Sequence, residues 1–182
     1  MLTHPSAFLL PLACAALLTL PAAAQTPHTA PAEAPASGAL APPAEPGTKL
    51  AVSGVVVSSD GTPIPGASIY AYQTDTEGYY GIKPASDSRN PRLKISLRSG
   101  ARGEWAFETI RPGSYPGSRN PGHIHFEVTA QGYEPRFFEI VFEGDPYVTA
   151  EMRQHPGFSV RPIATETGRS RVTERIVLTR AR

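Results

Sequence analysis

Short segments with the residue pattern of β-strands, each bounded by turn signals, most constrain how this chain can fold. They lie at residues 50–58, 67–73, 93–97, 104–110, 123–129, 136–143 and 172–179. The stretches between them are rich in turn-forming residues, as in Ser59-Asp60-Gly61. No window shows the 3.6-residue period of an amphipathic helix. The pattern therefore predicts an all-β domain, an antiparallel β-sandwich of about seven to nine strands with long functional loops.

The first 24 residues have the pattern of a secretory signal peptide. An apolar run at residues 7–20 is followed by Pro21 and three alanines, which form a small-residue cleavage site. The alternative is an uncleaved membrane anchor, but the run is shorter than the about 20 residues of a bilayer span. We expect cleavage after Ala24 and a periplasmic or secreted protein. The mature chain would then lack Cys14, its only cysteine, so any metal must be bound through nitrogen and oxygen.

Composition divides the remaining chain into a tether and one domain. Residues 25–47 are mostly Ala, Pro, Thr and Glu without apolar periodicity, which predicts a disordered tether. Residues 48–182 have the length of one ordinary domain. The net charge of +1 argues against a nucleic-acid partner, and no second apolar segment predicts a membrane span after signal cleavage. The sequence leaves open whether the chain forms a homo-oligomer.

One pair of histidines is the strongest candidate for a metal site. Alternate side chains of an extended strand face the same way, so His123 and His125 share one face while Ile124 points to the other. Tyr115 lies in the turn-rich loop before them. Its phenol has an ordinary pKa of about 10, but a trivalent cation can displace that proton. Phenolate plus imidazole therefore suits Fe(III), although each residue could instead be a polar or aromatic side chain packed on the sheet surface.

Several stretches together resemble the intradiol ring-cleavage dioxygenases, in particular the protocatechuate 3,4-dioxygenase-like branch. They are Gly54-Val-Val-Val with Asp60-Gly-Thr-Pro-Ile-Pro-Gly-Ala67, Gln73-Thr-Asp-Thr-Glu-Gly-Tyr-Tyr80, Thr109-Ile-Arg-Pro-Gly-Ser-Tyr-Pro116, Pro121-Gly-His-Ile-His-Phe126 and the shorter Phe142-Glu-Gly-Asp145. Many transthyretin-like modules share the first stretch, whereas the tyrosine and histidine motifs are specific. The resemblance covers residues 54–145 and implies a transthyretin (prealbumin)-like sandwich.

The resemblance also implies a set of ligands for Fe(III). By position they are Tyr80, Tyr115, His123 and His125, with Tyr79 as the alternative to Tyr80. A catechol would bind as a dianion and displace Tyr80, whose released phenolate would act as a local base. The implied reaction uses O2 to cleave the ring between its two hydroxyls and gives a cis,cis-muconate.

Two positions depart from the family pattern. The arginine that the family places before the histidine motif corresponds to Asn120, with Arg119 one residue earlier. We expect Arg119 to take the catalytic role of holding the intermediate or a carboxylate on the ring. A glutamine of the family is replaced by Glu139. Either these two changes compensate each other, or they indicate a different substrate or a member of the family without catalytic activity.

Two other functions fit parts of the sequence. His123, His125 and Glu127 share a strand face and could form a two-histidine, one-carboxylate site for Fe(II) or zinc. Such a triplet spans about 13–14 Å, however, which is too long for easy common ligation. A secreted transthyretin-like module that binds a carbohydrate or a protein without catalysis would explain the first strands, but neither Tyr115 nor the histidine motif.

Overall fold

Two five-stranded sheets make up the part of the chain that the structure describes. The structure is a computed structural model and describes residues 26–84 and 86–182. This part contains ten strands and no helix, and each of the seven predicted segments overlaps a strand, which confirms the all-β prediction. The strands are β1 (Ser37–Ala39), β2 (Lys49–Ser58), β3 (Ser68–Gln73), β4 (Leu93–Arg98), β5 (Glu104–Ile110), β6 (His123–Thr129), β7 (Arg136–Phe142), β8 (Phe158–Arg161), β9 (Ala164–Glu166) and β10 (Arg169–Leu178).

The two sheets enclose one hydrophobic core. Their strand orders are β1-β5-β2-β10-β9 and β4-β3-β6-β7-β8, and we call the second the β6 sheet. Ile124 and Phe126 of β6 point inward and are buried. Phe126 stacks on Phe138 of β7 at a ring-centroid distance of 5.0 Å and meets Trp105 of β5 at 5.5 Å. Because strand side chains alternate, this packing leaves the histidines of β6 on the outer face of the sheet.

The sheets are mixed, which corrects the prediction of an antiparallel sandwich. The pairs β1–β5, β2–β10 and β7–β8 are parallel, and the other pairs are antiparallel. Turn signals in the sequence indicate antiparallel strands that are joined by short hairpins. Parallel neighbours are joined by long connections, so no local sequence signal indicates their pairing. The additional strands β1, β8 and β9 have only three or four residues each, too few to show an alternating pattern.

The N-terminal segment packs against the sandwich where the sequence predicts a disordered tether. Within residues 26–47, Leu40 and Ala41 are buried in the core and β1 pairs with β5. The nearby Glu45 forms an ion pair with Arg92. A few apolar residues without any period were enough to fix this segment, because the edge of a sheet offers unpaired backbone groups. The division of the chain into a tether and a domain remains a prediction.

The predicted signal peptide at residues 1–24 lies outside the described residues. In the part that is described, no helix has the length and apolar character needed to cross a membrane.

Replacement of Leu40 measures what the N-terminal segment contributes. Leu40 is 3% exposed, so Leu40→Ala should lower the free energy of unfolding by about 2–5 kcal/mol through lost burial and a residual cavity. Ile82→Ala is the control, because Ile82 is 82% exposed and its loss should cost no more than about 0.5 kcal/mol. Denaturant titration measures both. Equally small effects would show that the segment adds nothing to the folded domain.

Candidate metal centre

The four predicted ligands come together on the outer face of the β6 sheet. The Tyr80 hydroxyl lies 2.7 Å from Nε2 of His125 and in short contact with the Tyr115 hydroxyl. The Tyr115 hydroxyl lies 2.9 Å from Nε2 of His123 and 3.3 Å from Nε2 of His125. The two Nε2 atoms are 3.0 Å apart. Two phenol oxygens and two imidazole nitrogens therefore form one compact group of donor atoms.

Contacts behind the histidines orient their Nε2 atoms into this group. Nδ1 of His123 is 2.7 Å from the carbonyl oxygen of Pro121, and Nδ1 of His125 is 3.3 Å from Oε1 of Glu139. The Pro121 carbonyl can only accept, so Nδ1–H of His123 donates to it and Nε2 of His123 carries a lone pair, and the carboxylate beside Nδ1 of His125 favours the same tautomer there. Two lone pairs that face each other cannot form a hydrogen bond. Only the two phenolic protons remain to be shared among four closely spaced atoms.

This donor set fits a metal cation. Ligand atoms about 2.1 Å from an ion and at right angles to one another are about 3 Å apart, which is the spacing found here. Nitrogen and anionic oxygen donors suit a hard, highly charged ion such as Fe(III). A cation between the two Nε2 atoms would also remove the repulsion between their lone pairs.

Burial sets the protonation of the free ligands. It lowers the pKa of His125 to about 3, with help from the neighbouring His123, so this imidazole is neutral and able to bind a metal. It also raises the pKa of Tyr80, and the hydrogen bond with Tyr115 raises it further. Burial likewise raises the pKa of Tyr115, although the hydrogen bond from Tyr80 opposes this. A phenolate at either position therefore depends on a cation beside it.

Two glycines allow the loops that carry the tyrosines to meet. Gly78 has φ +87°, and a Cβ atom there would lie 1.9 Å from the carbonyl oxygen of Ser114. A Cβ atom on Gly113 would lie 2.3 Å from the carbonyl oxygen of Thr76. The loops thus touch backbone to backbone. Each glycine precedes a ligand tyrosine by two residues, so this contact brings the two phenols together.

Further contacts connect the Tyr80 loop to the N-terminal segment. The Asp75 carboxylate accepts a hydrogen bond from the backbone N–H of Tyr79 at 3.0 Å. The backbone N–H of Arg92 donates to the Tyr80 carbonyl at 2.7 Å, while its guanidinium binds both carboxylate oxygens of Glu45 at 2.6 and 2.8 Å. The hydrogen bond from Arg92 lowers the pKa of Glu45. Residues 26–47 therefore help to position one of the predicted metal ligands, Tyr80.

The structure brings Tyr80 rather than Tyr79 to the donor group. The ring of Tyr79 instead faces the ammonium of Lys83, which lies 5.6 Å from its centroid.

Asn120, not Arg119, lines the cavity beside the donor group. This cavity, the Tyr115-side cavity, has a volume of about 160 Å³ and is lined by Tyr115, Asn120, Pro121, His123, Glu139, Met152 and Phe158. Arg119 is exposed and does not line it. The predicted catalytic role of Arg119 therefore has no support from its position.

A second cavity is lined by His125 and shares Glu139 with the first. This Tyr72-side cavity has a volume of about 210 Å³ and is lined by Tyr72, His125, Phe126, Glu127, Phe137, Phe138, Glu139 and Gly157. Tyr72 stacks on His125 with the ring centroids 4.4 Å apart, and burial raises its pKa to about 12. Sequence reasoning missed Tyr72. The only sequence signal for Tyr72 was its position on the outward face of β3. That it lies opposite His125 follows from the register between β3 and β6, which the sequence does not show.

Glu139, rather than Glu127, is the carboxylate next to the histidines. Both the backbone N–H and Nδ1 of His28 lie 2.9 Å from the Glu127 carboxylate. Among the described residues, the group of histidine and carboxylate atoms within 4.8 Å of one another consists of His123, His125 and Glu139. The proposed set with Glu127 is therefore wrong. Glu139 is opposite His125 on β7, and burial raises its pKa.

The sequence as a whole matches one protein family. A family model with the description Dioxygenase matches residues 26–177, which is most of the chain. The chain belongs to the intradiol ring-cleavage dioxygenases. Membership of this family was predicted from the tyrosine and histidine motifs and is confirmed.

Named relatives are enzymes that act on catechols. The chain is 32% identical to a chlorocatechol 1,2-dioxygenase of Rhodococcus opacus over 59% of its own length and 48% of the relative's. It is 34% identical to a hydroxyquinol 1,2-dioxygenase of Nocardioides simplex over 52% of its length and 37% of the relative's. The chain thus matches less than half the length of either relative. The protocatechuate 3,4-dioxygenase-like branch remains a prediction.

Solved structures show the same fold. Catechol 1,2-dioxygenase from Acinetobacter sp. ADP1 superposes with a TM-score of 0.65 and 21% identity over 83% of this chain and 60% of that one. The dioxygenase domain of a dioxygenase carbohydrate-binding protein fusion from Streptomyces sp. SirexAA-E gives a TM-score of 0.61 and 26% identity, over 83% of this chain and 94% of that domain.

Replacement of Gly78 tests the contact between the two tyrosine loops. Gly78→Ala places a methyl group against the Ser114 carbonyl as well as a side chain at positive φ. Gly132→Ala is the matched control, because Gly132 has φ +80° and no atom within 4 Å of the added Cβ. Gly78→Ala should lower the free energy of unfolding by about 1–3 kcal/mol more than Gly132→Ala. Equal losses in thermal or denaturant unfolding would contradict the close packing of the loops.

Proposed function

We propose that this protein is a non-haem Fe(III) dioxygenase that uses O2 to cleave a catecholic ring between its two hydroxyls and yields a cis,cis-muconate. The observation that carries the proposal is the convergence of Tyr80, Tyr115, His123 and His125, whose donor atoms have the spacing of metal ligands. Membership of the intradiol family supports it. A ferric ion bound there would supply Lewis acidity toward the catechol hydroxyls and a path for electron donation to O2.

The side chains of the site divide into holding and proton-accepting groups. A hydrogen bond to Pro121 fixes the imidazole of His123, and contact with the Glu139 carboxylate at 3.3 Å orients that of His125, which suits ligands that stay in place. Tyr80 is 4% exposed and its burial favours the neutral phenol. Once a catechol displaces it, Tyr80 would therefore accept a hydroxyl proton from the substrate.

The Tyr115-side cavity offers a place for the catechol ring. Pro121, Met152 and Phe158 give it an apolar wall that contacts the faces of a ring and limits the access of water. Asn120 adds an amide that can form a hydrogen bond with the substrate. Arg119 has no part in this proposal, because its side chain is outside the cavity.

A second candidate uses a carboxylate instead of the phenols. His123, His125 and Glu139 could form a two-histidine, one-carboxylate site for Fe(II) or zinc. Glu139 lies beside Nδ1 of His125, whereas the two phenol oxygens lie beside the Nε2 atoms of the histidines, which are 3.0 Å apart. The tighter group favours the ferric site.

We also propose that the protein is periplasmic or secreted. The support is the apolar run and alanine-rich cleavage site of residues 1–24. The protein recovered from a bacterial host should begin at Gln25, as measured by sequencing its N-terminus. Recovery of an intact N-terminus from the cytoplasmic fraction would contradict export.

The visible colour of the iron-loaded protein tests the ferric site. Phenolate-to-Fe(III) charge transfer should give a burgundy solution that takes up O2 when catechol is added. Tyr80→Phe, Tyr115→Phe and His125→Ala should each weaken the colour and lower catechol turnover by about a hundredfold or more, because each removes a ligand. Visible absorption and O2 consumption measure these effects.

Tyr79→Phe is the matched control, since Tyr79 is adjacent in sequence but faces Lys83. It should keep both the colour and the turnover. A protein that stays colourless after iron loading would contradict the proposal of a ferric site. The carboxylate site would be supported by a colourless protein that is active with Fe(II) or zinc and is inactivated by Glu139→Ala. A colourless protein that binds a carbohydrate without turnover would be a binding module.

A further inference from the structure

Glu139 is placed to sense the charge of a bound catechol. Its side chain lines both cavities, the Tyr115-side cavity and the Tyr72-side cavity. Of the residues that the structure describes, Glu139 is the one lining residue that the two cavities share. A ring substituent that enters either cavity therefore meets the same carboxylate.

The Glu139 carboxylate is in contact with both His125 and solvent. Its Oε1 lies 3.3 Å from Nδ1 of His125. In addition, 29% of the Glu139 side chain is exposed, so water still reaches it.

No cationic side chain offsets this charge at the cavity walls. Within the described part of the chain, the residues that line the two cavities include neither lysine nor arginine. Arg119 is exposed outside both, and Arg153 is paired with Glu143. The Tyr72-side cavity contains a second carboxylate, that of Glu127.

The aromatic walls point to the same class of ligand. Tyr72 and Phe137 flank the Tyr72-side cavity together with the two carboxylates. Aromatic ring faces attract cations, and they do so more strongly in places partly removed from water. A positively charged or hydrogen-bond-donating substituent is thus favoured both by the carboxylates and by the rings.

We propose that Glu139 determines the substrate class of this site: it selects against catechols with a carboxylate on the ring and favours those whose substituent carries an ammonium group or hydroxyl donors. This inference rests on the proposed function of the site. Charges about 6–8 Å apart at the effective dielectric constant of a protein surface change affinity by about ten- to a hundredfold. That range sets the size of the effect expected on substrate preference.

Three substrates of similar size isolate the effect of charge. They are 3,4-dihydroxybenzylamine, 3,4-dihydroxybenzyl alcohol and 3,4-dihydroxybenzoate, which carry a positive, a neutral and a negative substituent. The readout is the ratio of kcat/KM for the amine to kcat/KM for the benzoate. This ratio cancels any difference in iron content between variants. For the wild-type chain it should exceed one, and Glu139→Gln should lower it by about tenfold or more.

Binding provides a readout that does not depend on turnover. Without O2, the dissociation constants of the amine and the benzoate can be measured by calorimetry on the iron-loaded protein. The ratio of the dissociation constant of the amine to that of the benzoate should rise by a similar factor in Glu139→Gln, because the amine then binds relatively more weakly. If Glu139 had only a structural role, its replacement would weaken the binding of both ligands by the same factor and leave the ratio of their dissociation constants unchanged.

Two further variants keep the test decisive. Glu143→Gln makes the same change in charge just after β7, but Glu143 pairs with Arg153 and lines neither cavity, so the ratio should not change. Asn120→Arg adds a cation to the Tyr115-side cavity and should shift preference toward the benzoate. Because Asn120 is exposed, this variant serves if Glu139→Gln fails to fold or to bind iron.

The outcomes separate the inference from the function on which it rests. Turnover of the benzyl alcohol with a charge preference that is unchanged in Glu139→Gln and Asn120→Arg overturns the inference and leaves the proposed function standing. An equal shift in Glu143→Gln also overturns it, because the effect would then be one of general surface charge. If the wild-type chain acts on none of the three catechols, both the inference and the proposed function are overturned.

Discussion

The register of β6 within its sheet is the constraint on which the site depends. Ile124 and Phe126 are buried between the sheets, so His123 and His125 must face outward. A slip of one residue would reverse all of these positions, exposing Phe126 and burying the imidazoles. The stack of Phe126 on Phe138 opposes such a slip. The hydrophobic core thus orients the histidines without contacting a metal.

The phenols depend on a different kind of constraint, the close approach of two loop backbones. Gly78 and Gly113 leave no room for a side chain, and this contact fixes the distance between Tyr80 and Tyr115. A strand face can present ligands only along one line, with about 6.6–6.8 Å between alternate residues. Loops that pack over that face add ligands from above. The ligand group therefore combines a rigid strand with two loops that hold each other.

What the sequence predicted was local, and what it missed depends on contacts between distant segments. Alternation predicted β6, and family motifs predicted Tyr80 and Tyr115, because a motif is read as a string of neighbouring residues. The pairing of β6 with β3 and β7 placed Tyr72 and Glu139 beside His125, and no single segment encodes that register. The docking of residues 26–47 was missed for the same reason. The position of Arg119 gives no support to its predicted role, because proximity in sequence does not direct a side chain into a cavity.

Charge balance joins the ligand group to its neighbour Glu139. A ferric ion with two phenolates would keep one positive charge, and the Glu139 carboxylate beside His125 would compensate it. A catechol that gave up both hydroxyl protons, one of them to Tyr80 and the other to solvent, would bind as a dianion and add one negative charge to the site. In a partly buried site such an excess is costly, and a second carboxylate on the ring would increase it. An ammonium on the ring would restore neutrality, so the residue that balances the resting site would also set its preference among substrates.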